Sequence, residues 1–428
     1  MHTEQTSGDG SAYGSPPGSG MSLPPYYQPT PSVRNRNNYF PQTEPLGPDE
    51  MRIIFMGSNP WPPRASQAAT CMMVELGSGK RLFFDFGPGC LRNIVANQVP
   101  VPEVNDIFIS HLHIDHFGDL PYLWQFAPFN GRWTPLRVIG PSGRTEELGT
   151  RAMCEHLQKM GAWTSQWAVG PMADGYRIDV TEFDFADDGG VCYDQDGVRV
   201  IHWRRSHGSD GASAYRLDWN GLSFVWTGDG KPDQLTLEYA KGADVFVSEM
   251  ACDLVNLWSL KQGVSPLMGA YVLDNYHTTH YAVGYLAALV QPRLAMATHL
   301  SFDHELIGEM VAGVRRHYNG LFAFGIDHVV VNVTRERIWI REAALPESTN
   351  VARPDMQWMV ENNFGGRLPG PMTVTNPVAA TQEQSIRDLE IDPARFTPAD
   401  QMRPWARTCA AEITLDPAQM MGAPPPAG

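Results

Sequence analysis

The chain has 428 residues, of which 43% are hydrophobic and 18% charged, so it can bury a sizeable core and is neither wholly disordered nor fibrous. Its net charge of −15 argues against nucleic acid as the main partner, because proteins that bind polyanions usually carry a basic surface. The six cysteines form no C-x-x-C pair, which disfavours a disulfide framework or a cysteine zinc cluster. No apolar run approaches a membrane span, and the N-terminus lacks the apolar core of a signal peptide. We therefore expect a soluble, cytoplasmic protein.

Composition divides the chain into three regions. Residues 1–35 are rich in Gly, Ser and Pro and predict a disordered leader. Residues 36–344 contain the strand-like and helix-like segments and predict a folded domain. Residues 345–428 form a Pro-rich extension without Lys, in which DMQWMVENNF and IRDLEI predict short helices but no second core.

Hydrophobic periodicity predicts strands and helices in both halves of the folded domain. Order begins at Met51, where MRIIFMG has the pattern of a strand, and the Gly-Ser-Gly turn from Gly77 predicts a hairpin. Strands interspersed with helices predict an α/β fold of two mixed sheets with helices outside. The predicted strands are 51–57, 71–76, 81–87, 106–110, 136–140, 198–203, 213–219, 222–228, 244–249, 327–333 and 337–342, and the predicted helices are 90–98, 281–290 and 303–318.

The segment SHLHIDHFGDL, which starts at Ser110, contains the strongest chemical pattern. Four potential metal ligands follow the end of a hydrophobic strand within six residues. His111 and His113 are two residues apart, so their imidazoles point to the same side of an extended segment. Asp115 and His116 follow as the chain turns. One loop thus offers two groups of ligands, which suits two metal ions about 3.5–4 Å apart. The alternative is a His-rich surface loop that binds no metal.

This pattern resembles the metallo-β-lactamase superfamily, whose fold is an αβ/βα sandwich with a metal site at one edge. The resemblance implies three further ligands, each after a strand: His207, the bridging carboxylate Asp229, and His299. It implies two zinc ions per chain, with manganese or iron as substitutes. Diiron relatives commonly have a carboxylate at the position of His113, so the histidine favours zinc. One ion would bind His111, His113, His207 and Asp229, and the other Asp115, His116, Asp229 and His299.

Further residues resemble the ribonuclease Z-like branch of this superfamily. Glu249 and His277 match a pair that handles protons near the leaving group, in which the carboxylate orients the imidazole and raises its proton affinity. The spacing to His299 favours His277 over His280. Asp85 matches an aspartate that supports the metal ligands from behind. In the alternative interpretation, Glu249 is a buried structural acceptor and Asp85 a turn residue. The predicted catalytic residues are His277, Glu249 and Asp115.

A closer resemblance, over about residues 34–344, is to a hydrolase-like group that contains a guanitoxin-biosynthesis metallo-hydrolase. It depends on segments such as RNRNNYFPQTEPLGPDEMRI, ELGSGKRLFFDFG and LDWNGLSFVWTGDG. The resemblance is to the group and does not imply that this protein acts in guanitoxin biosynthesis. The chain departs from the group at three places: GSNP from Gly57 replaces Gly-Thr-Gly-Thr, Gly230 replaces Thr, and His280 replaces a small residue or proline. These departures affect loop shape and substrate choice rather than metal binding.

These resemblances imply a dinuclear zinc hydrolase that acts on a small molecule. A bridging hydroxide would attack the electrophilic centre, the metals would stabilise the oxyanion, and His277 would protonate the leaving group. The substrate stays open among ester, lactone, amide, phosphoester, sulfate and activated halide. Aromatic residues after the ligand loop are candidates for the wall of an apolar pocket, with plain packing as the alternative: Tyr122, Trp124, Phe126, Trp163 and Trp167.

Other functions compete with this hypothesis. A tRNA 3′-processing endonuclease, the activity that names the branch, would need a basic arm to grip the tRNA, and the insertion at 145–176 has few basic residues. The complete ligand set disfavours a non-catalytic metal-binding scaffold. The segment around His207 lacks the T-P-G-H-T-x-G-H pattern of glyoxalase-type thioesterases. The sequence predicts a small-molecule partner and no membrane partner, and it leaves a homodimer open.

The leader should be dispensable for catalysis, because its composition cannot bury enough surface to become ordered. We expect a chain that starts near Arg34 to keep the full specific activity of the whole chain. Parallel assays of the two purified proteins check this prediction. A loss of activity, rather than of expression, would show that the leader closes over the site or over a partner in an oligomer.

Overall fold

The structure is a computed structural model that describes residues 37–346, apart from 167, 169, 209, 253–262 and 264, together with residues 372–375 and 412–415. The predicted leader, the two predicted tail helices and Trp167 lie outside the described residues. The domain boundaries near 35 and 344 therefore stay predictions.

The strands of the described residues form two large mixed sheets and one small hairpin-like pair. Their bounds are β1 Asn38–Tyr39, β2 Met51–Gly57, β3 Cys71–Leu76, β4 Arg81–Phe84, β5 Asp106–Phe108, β6 Leu136–Pro141, β7 Ile178–Phe183, β8 Val191–Gln195, β9 Val198–Arg204, β10 Ser213–Trp219, β11 Leu222–Trp226, β12 Val245–Glu249, β13 Leu294–Thr298, β14 Phe322–Phe324, β15 Val329–Val333, β16 Ile338–Ala343, β17 Met372–Thr375 and β18 Glu412–Leu415.

The first sheet has the order β1-β16-β15-β2-β3-β4-β5-β6-β7, and the second has the order β14-β13-β12-β11-β10-β9-β8. Strands β2, β3, β11, β12 and β13 are buried at every position, because both faces of each sheet are covered. Strands β11, β12 and β13 run parallel to one another, so their carboxyl ends lie at the same edge. Strands β17 and β18 pair antiparallel in the tail.

Short helices connect the strands. Their bounds are α1 Cys90–Ala96, α2 Ile114–Phe117, α3 Leu120–Phe126, α4 Thr150–Met160, α5 Ala162–Ser165, α6 Gln234–Tyr239, α7 Pro266–Tyr276, α8 His280–Val290 and α9 Ile307–Arg315. In the described part of the chain, no helix has the length and apolar character needed to span a membrane.

The core consists of an aromatic layer between the sheets and apolar layers on their outer faces. Phe84 stacks on Phe108 with 4.9 Å between ring centroids, and both contact the ring of Tyr215 from the second sheet. Helices α1, α3 and α4 pack on the outer face of the first sheet. Helices α6, α8 and α9 pack on the outer face of the second sheet. The predicted fold of two mixed sheets with helices outside is confirmed.

The structure differs from the predicted elements at a few places. The helix predicted at 303–318 covers only Ile307–Arg315, because residues 304–306 form a turn. Helix α4 was not predicted, since it buries only a narrow stripe of three residues. Helix α7 was also missed, although Ser265 caps it by accepting from the N–H of Met268 and Pro266 occupies its first position.

Candidate metal centre

The predicted ligands meet at one edge of the sandwich, where strands of both sheets end. His111 lies just beyond β5, and Asp229 and His299 follow the carboxyl ends of β11 and β13. His207 follows β9, whose end lies at the same edge. Because polar side chains at adjacent strand ends come close in space, residues up to 188 positions apart in the chain share one site.

Three imidazole nitrogens converge in the first group of ligands. The Nδ1 atom of His113 lies 3.0 Å from Nε2 of His111 and 3.1 Å from Nε2 of His207. The Nδ1 atom of His111 lies 3.1 Å from Oγ of Ser110, and Nδ1 of His207 lies 2.6 Å from the carbonyl oxygen of Tyr276. These partners place the ring proton on Nδ1, so both Nε2 atoms present lone pairs to the site. Tetrahedral zinc, with Zn–N bonds of about 2.0–2.1 Å, spaces its nitrogen ligands about 3.3 Å apart, so this group fits one ion.

The carboxylate of Asp229 lies at the centre of the histidines. Its Oδ2 atom is 3.2 Å from Nε2 of His299 and 3.4 Å from Nε2 of His116. The same atom is 3.7 Å from Nε2 of His207 and 3.9 Å from Nε2 of His111. Its Oδ1 atom is buried and has no hydrogen-bond partner among the described residues. A buried carboxylate oxygen normally has a partner, so this oxygen fits a cation.

The second group of ligands lies on the other side of Asp229. The Nε2 atoms of His116 and His299 are 3.2 Å apart, and Oδ2 of Asp115 is 3.3 Å from Nε2 of His299. His299 has a φ of 51°, which lies in the left-handed region that residues other than glycine adopt infrequently. The structure therefore brings all seven predicted ligands into two adjacent groups around Asp229.

The three histidines of the first group and the two carboxylates have protonation states that suit cation binding. His116 differs, because the carboxylates of Asp229 and Asp85 outweigh burial and raise its pKa well above the usual range, so an ion would have to displace its proton. Burial lowers the pKa of His113 and His207, and it lowers the pKa of His111 well below its usual range, so these imidazoles are neutral. Burial alone would raise the pKa of the Asp115 carboxyl, but His116 and His299 together outweigh it and lower this pKa. The pKa of Asp229 is likewise held well below its usual range, since His299 and His116 outweigh burial. Neutral imidazoles and ionised carboxylates are the forms that ligate metals.

Asp85 holds His116 from behind, as predicted for an aspartate that supports a ligand. Its Oδ2 atom accepts from Nδ1 of His116 at 2.9 Å, from Oγ of Ser110 at 2.8 Å and from Nε1 of Trp226 at 2.8 Å. The backbone N–H of Ser110 donates to Oδ1 at 2.7 Å. The proton on Nδ1 directs Nε2 of His116 toward Asp229. The role of Trp226 was not predicted, because its strand pattern indicates only burial.

Asp85→Asn should lower metal affinity about 10–100-fold, because an amide accepts the hydrogen bond from the Nδ1–H of His116 more weakly than a carboxylate does. Competition with a chromogenic chelator measures this loss. Asp244→Asn is the matched control: Asp244 also accepts bonds from Ser223 and Arg293, but it lies before β12, away from the ligands. An equal loss of affinity in both variants would contradict the supporting role.

His277 and Glu249 form a close pair beside the ligands. Nδ1 of His277 lies 2.6 Å from Oε2 of the fully buried Glu249, whose Oε1 accepts from the backbone N–H groups of Gly230 and Thr278. Burial lowers the pKa of His277, but the Glu249 carboxylate outweighs it and raises this pKa to about 9. The Nδ1–H donates to Glu249, which leaves Nε2 of His277 for another partner. His280 lies instead at the start of α8, with Nε2 3.7 Å from Oε1 of Glu309.

The departure at Gly230 has a structural reason, and the GSNP segment that starts at Gly57 contacts the ligand edge. Gly230 has a φ of 150° and donates its N–H to Glu249 at 2.6 Å, so a threonine there would be strained. A Cβ atom at Gly57 would lie 1.7 Å from the carbonyl oxygen of Ala69. The carbonyl oxygen of Ser58 accepts from the N–H of Leu300 at 2.8 Å, directly after His299. The GSNP segment therefore holds the backbone at the end of the strand that is followed by the ligand His299.

A pocket of about 500 Å³ opens on the metal centre. Of the aromatic residues predicted to wall a pocket, the four that the structure describes do not line it. Trp124 is buried in the core on the outer face of the first sheet, with Nε1 donating to the carbonyl oxygen of Tyr176, and Tyr122, Phe126 and Trp163 are exposed. Plain packing and surface placement are therefore correct for these four, because α3 and α5 lie away from the ligand edge. The apolar wall that does line the pocket comes from Trp61, Met250, Met268, Val272, Leu306 and Met310.

Comparisons with known proteins support the same fold. Residues 67–215 match the family model of the Metallo-beta-lactamase superfamily. The chain has the metallo-β-lactamase fold. It is 35% identical to Ribonuclease Z of Methanosarcina mazei over 96 residues, or 22% of this chain and 31% of that protein. It is 25% identical to Ribonuclease Z of Thermoplasma acidophilum over 236 residues, or 47% of this chain and 75% of that protein.

Among solved structures, the chain is similar to the metallo-beta-lactamase fold protein YhfI from Bacillus subtilis. The TM-score is 0.48 at 17% identity, covering 68% of this chain and all of that one. The chain spans about a third of the length of the Methanosarcina relatives, with coverages of 31% and 38%. The predicted resemblance agrees with the family-model match over residues 67–215 and with the homologues named ribonuclease Z.

Proposed function

We propose that the protein is a dinuclear metal-dependent hydrolase that cleaves a phosphodiester in a small molecule. The observation that carries the proposal is the 2.6 Å contact between His277 and Glu249 at the wall of a pocket that Asp115 and Asp229 also line. Homologues named ribonuclease Z favour a phosphodiester over the other esters predicted from the sequence. We include in this proposal the closer resemblance to the group that contains a guanitoxin-biosynthesis metallo-hydrolase. This resemblance does not identify the substrate.

The residues of the site fit two divalent ions. His111, His113 and His207 would hold one, and Asp115, His116 and His299 the other, with Asp229 shared between them. The nitrogen and oxygen donors suit zinc, with manganese or iron as substitutes. When bound, the ions supply Lewis acidity and a nucleophile at neutral pH.

The chain itself supplies the proton for the leaving group. Nε2 of His277 is free to donate, since Nδ1 is held by Glu249. The backbone N–H groups of Gly230 and Thr278, at 2.6 and 3.2 Å from Oε1 of Glu249, keep this carboxylate from rotating. Because the loop of Gly230 also carries Asp229, the acid and the ligands keep a fixed relation to one another.

The tRNA 3′-processing hypothesis is the alternative. It shares the reaction chemistry, and the homologues named ribonuclease Z support it better than they support a small-molecule substrate. The insertion at 145–176 contains α4, α5 and two 3₁₀ segments, with Arg151 and Lys159 as its basic residues. In the described part of this insertion, no basic arm extends from the domain. We therefore place the small phosphodiester first and test the RNA beside it.

A substrate panel tests the proposal. The full chain loaded with zinc should hydrolyse bis(p-nitrophenyl) phosphate faster than p-nitrophenyl butyrate, p-nitrophenyl sulfate or a γ-lactone, with an Asp229→Ala variant as the inactive control. Faster cleavage of a precursor tRNA with a 3′ trailer than of the small phosphodiester would favour the endonuclease. Turnover of carboxylic esters alone would overturn phosphodiester chemistry, and two bound ions without any turnover would favour the scaffold.

A further inference from the structure

The pocket beside the metal centre has one polar end and one apolar end. Its volume of about 500 Å³ lies within the range of about 300–1,000 Å³ that is usual for small-molecule sites. The polar end consists of the ligands and the His277–Glu249 pair. The rest is lined mostly by apolar residues, with Ser301 among them: Pro60, Trp61, Ile114, Met250, Ala251, Cys252, Met268, Gly269, Val272, Leu300, Leu306 and Met310.

Burial changes along the apolar wall. Met250 and Met310 are each 1% exposed, so they form the floor, and Met268 and Trp61 are 54% and 73% exposed, so they form the mouth. Among the described residues that line this pocket, none is Lys or Arg. Within the described lining, the charges are therefore confined to the end where the ligands lie.

A charged or strongly hydrated group would lose water in this apolar part without gaining a partner, which costs several kcal/mol for an unpaired charge. A second phosphate of a nucleic acid strand would meet that penalty. Burial of an alkyl or aryl group would instead make the binding free energy more favourable, in proportion to the buried area. Methionine side chains adapt to irregular shapes, so three of them suit a group of variable outline.

We propose that this part of the pocket binds an uncharged apolar substituent, an alkyl or aryl group attached to the bond that is hydrolysed. The inference rests on the proposed function for its reacting group. The side chains that select the substituent are separate from the metal ligands: Met268 and Val272 lie one turn apart on α7, and Met310 lies on α9. Substrate preference can therefore be changed without changing metal binding.

Binding of an alkylphosphonate series tests this site without requiring turnover. Methyl-, butyl-, hexyl- and octylphosphonate are titrated calorimetrically into the zinc-loaded full chain. Affinity should rise about fourfold for each added methylene until the pocket is filled. A series of alkyl p-nitrophenyl phosphodiesters should show the same trend in kcat/KM.

Two neighbouring lysine substitutions provide the matched comparison. Met268→Lys places an ammonium at the mouth and should remove most of the gain per methylene. Leu267→Lys makes the same change one residue earlier on α7, at a position that is 82% exposed and does not line the pocket, and it should keep the whole gain. Met268→Ala, which adds no charge, should show a smaller loss and guards against misfolding of the lysine variant.

Equal affinity for all alkylphosphonates, or equal behaviour of the Met268→Lys and Leu267→Lys variants, would overturn the apolar subsite. A chain-length dependence in binding without hydrolysis of any phosphodiester would support the subsite and remove the proposed reaction. Phosphodiester hydrolysis without any chain-length dependence would do the reverse. The results therefore distinguish a failure of the apolar subsite from a failure of the proposed phosphodiester hydrolysis.

Discussion

Asp229→Ala should abolish binding of both metal ions. The Oδ2 atom of Asp229 lies 3.2–3.9 Å from imidazole nitrogens of both ligand groups, and Asp229 is the carboxylate that the two predicted ion sites share. Without it, each group keeps three ligands but loses the negative charge between them. We expect about two zinc ions per parent chain, as in two-metal hydrolytic sites, and close to none in the variant. Elemental analysis after purification without chelator measures both.

Single-ligand variants serve as controls for this result. His113→Ala removes a ligand from the first group alone, and Asp115→Ala removes one from the second group alone, so each should lose mainly one ion. A parent chain with one ion or none would contradict the dinuclear assignment. So would an Asp229→Ala variant that keeps two ions, because bridging would then have to come from another group.

The spacing of ligands in the sequence was informative because strand ends are positions that sequence can indicate. A hydrophobic run followed by His111, Asp229 or His299 marks a strand end, and parallel strands of one sheet end at the same edge. The resemblance to the superfamily, applied to these strand ends, therefore predicted which side chains would meet. It did not predict the partners behind them, such as Trp226 on Asp85, a contact across 141 residues.

The pocket wall shows what sequence patterns could not give. Trp124 and Tyr122 are close to the ligands in the chain, but α3 carries them onto the outer face of the first sheet. Trp61, Met250 and Met310 are far apart in the chain, and only the folded structure brings them to one cavity. A residue that is close to a motif in the sequence lies in the motif's site only when the helix or loop between them runs toward that site. Helical periodicity does not specify the direction in which a helix runs.

His277→Ala should leave metal content unchanged while lowering kcat by roughly 10²–10⁴-fold, the usual contribution of a general acid. The expected loss follows from the contacts of the ring, since Nδ1 is held by Glu249 at 2.6 Å and Nε2 is left to protonate the leaving group. The loss should therefore be large for a phosphodiester with an alkoxide leaving group and much smaller for one with a nitrophenolate. Steady-state kinetics on both substrates, with zinc content measured on the same samples, checks this prediction.

Two further variants separate the acid from a structural role. Glu249→Gln should show the same dependence on the leaving group in weaker form, because Glu249 only orients and polarises the imidazole. His280→Gln, three residues from His277 but at the start of α8 beside Glu309, should show no such dependence. If His277→Ala also loses zinc, His277 is a ligand, which its position in one group with Asp229, Glu249 and His299 would allow. If the His277 and Glu249 variants hydrolyse every substrate as the parent does, the proton comes from elsewhere, and His280 becomes the next residue to test.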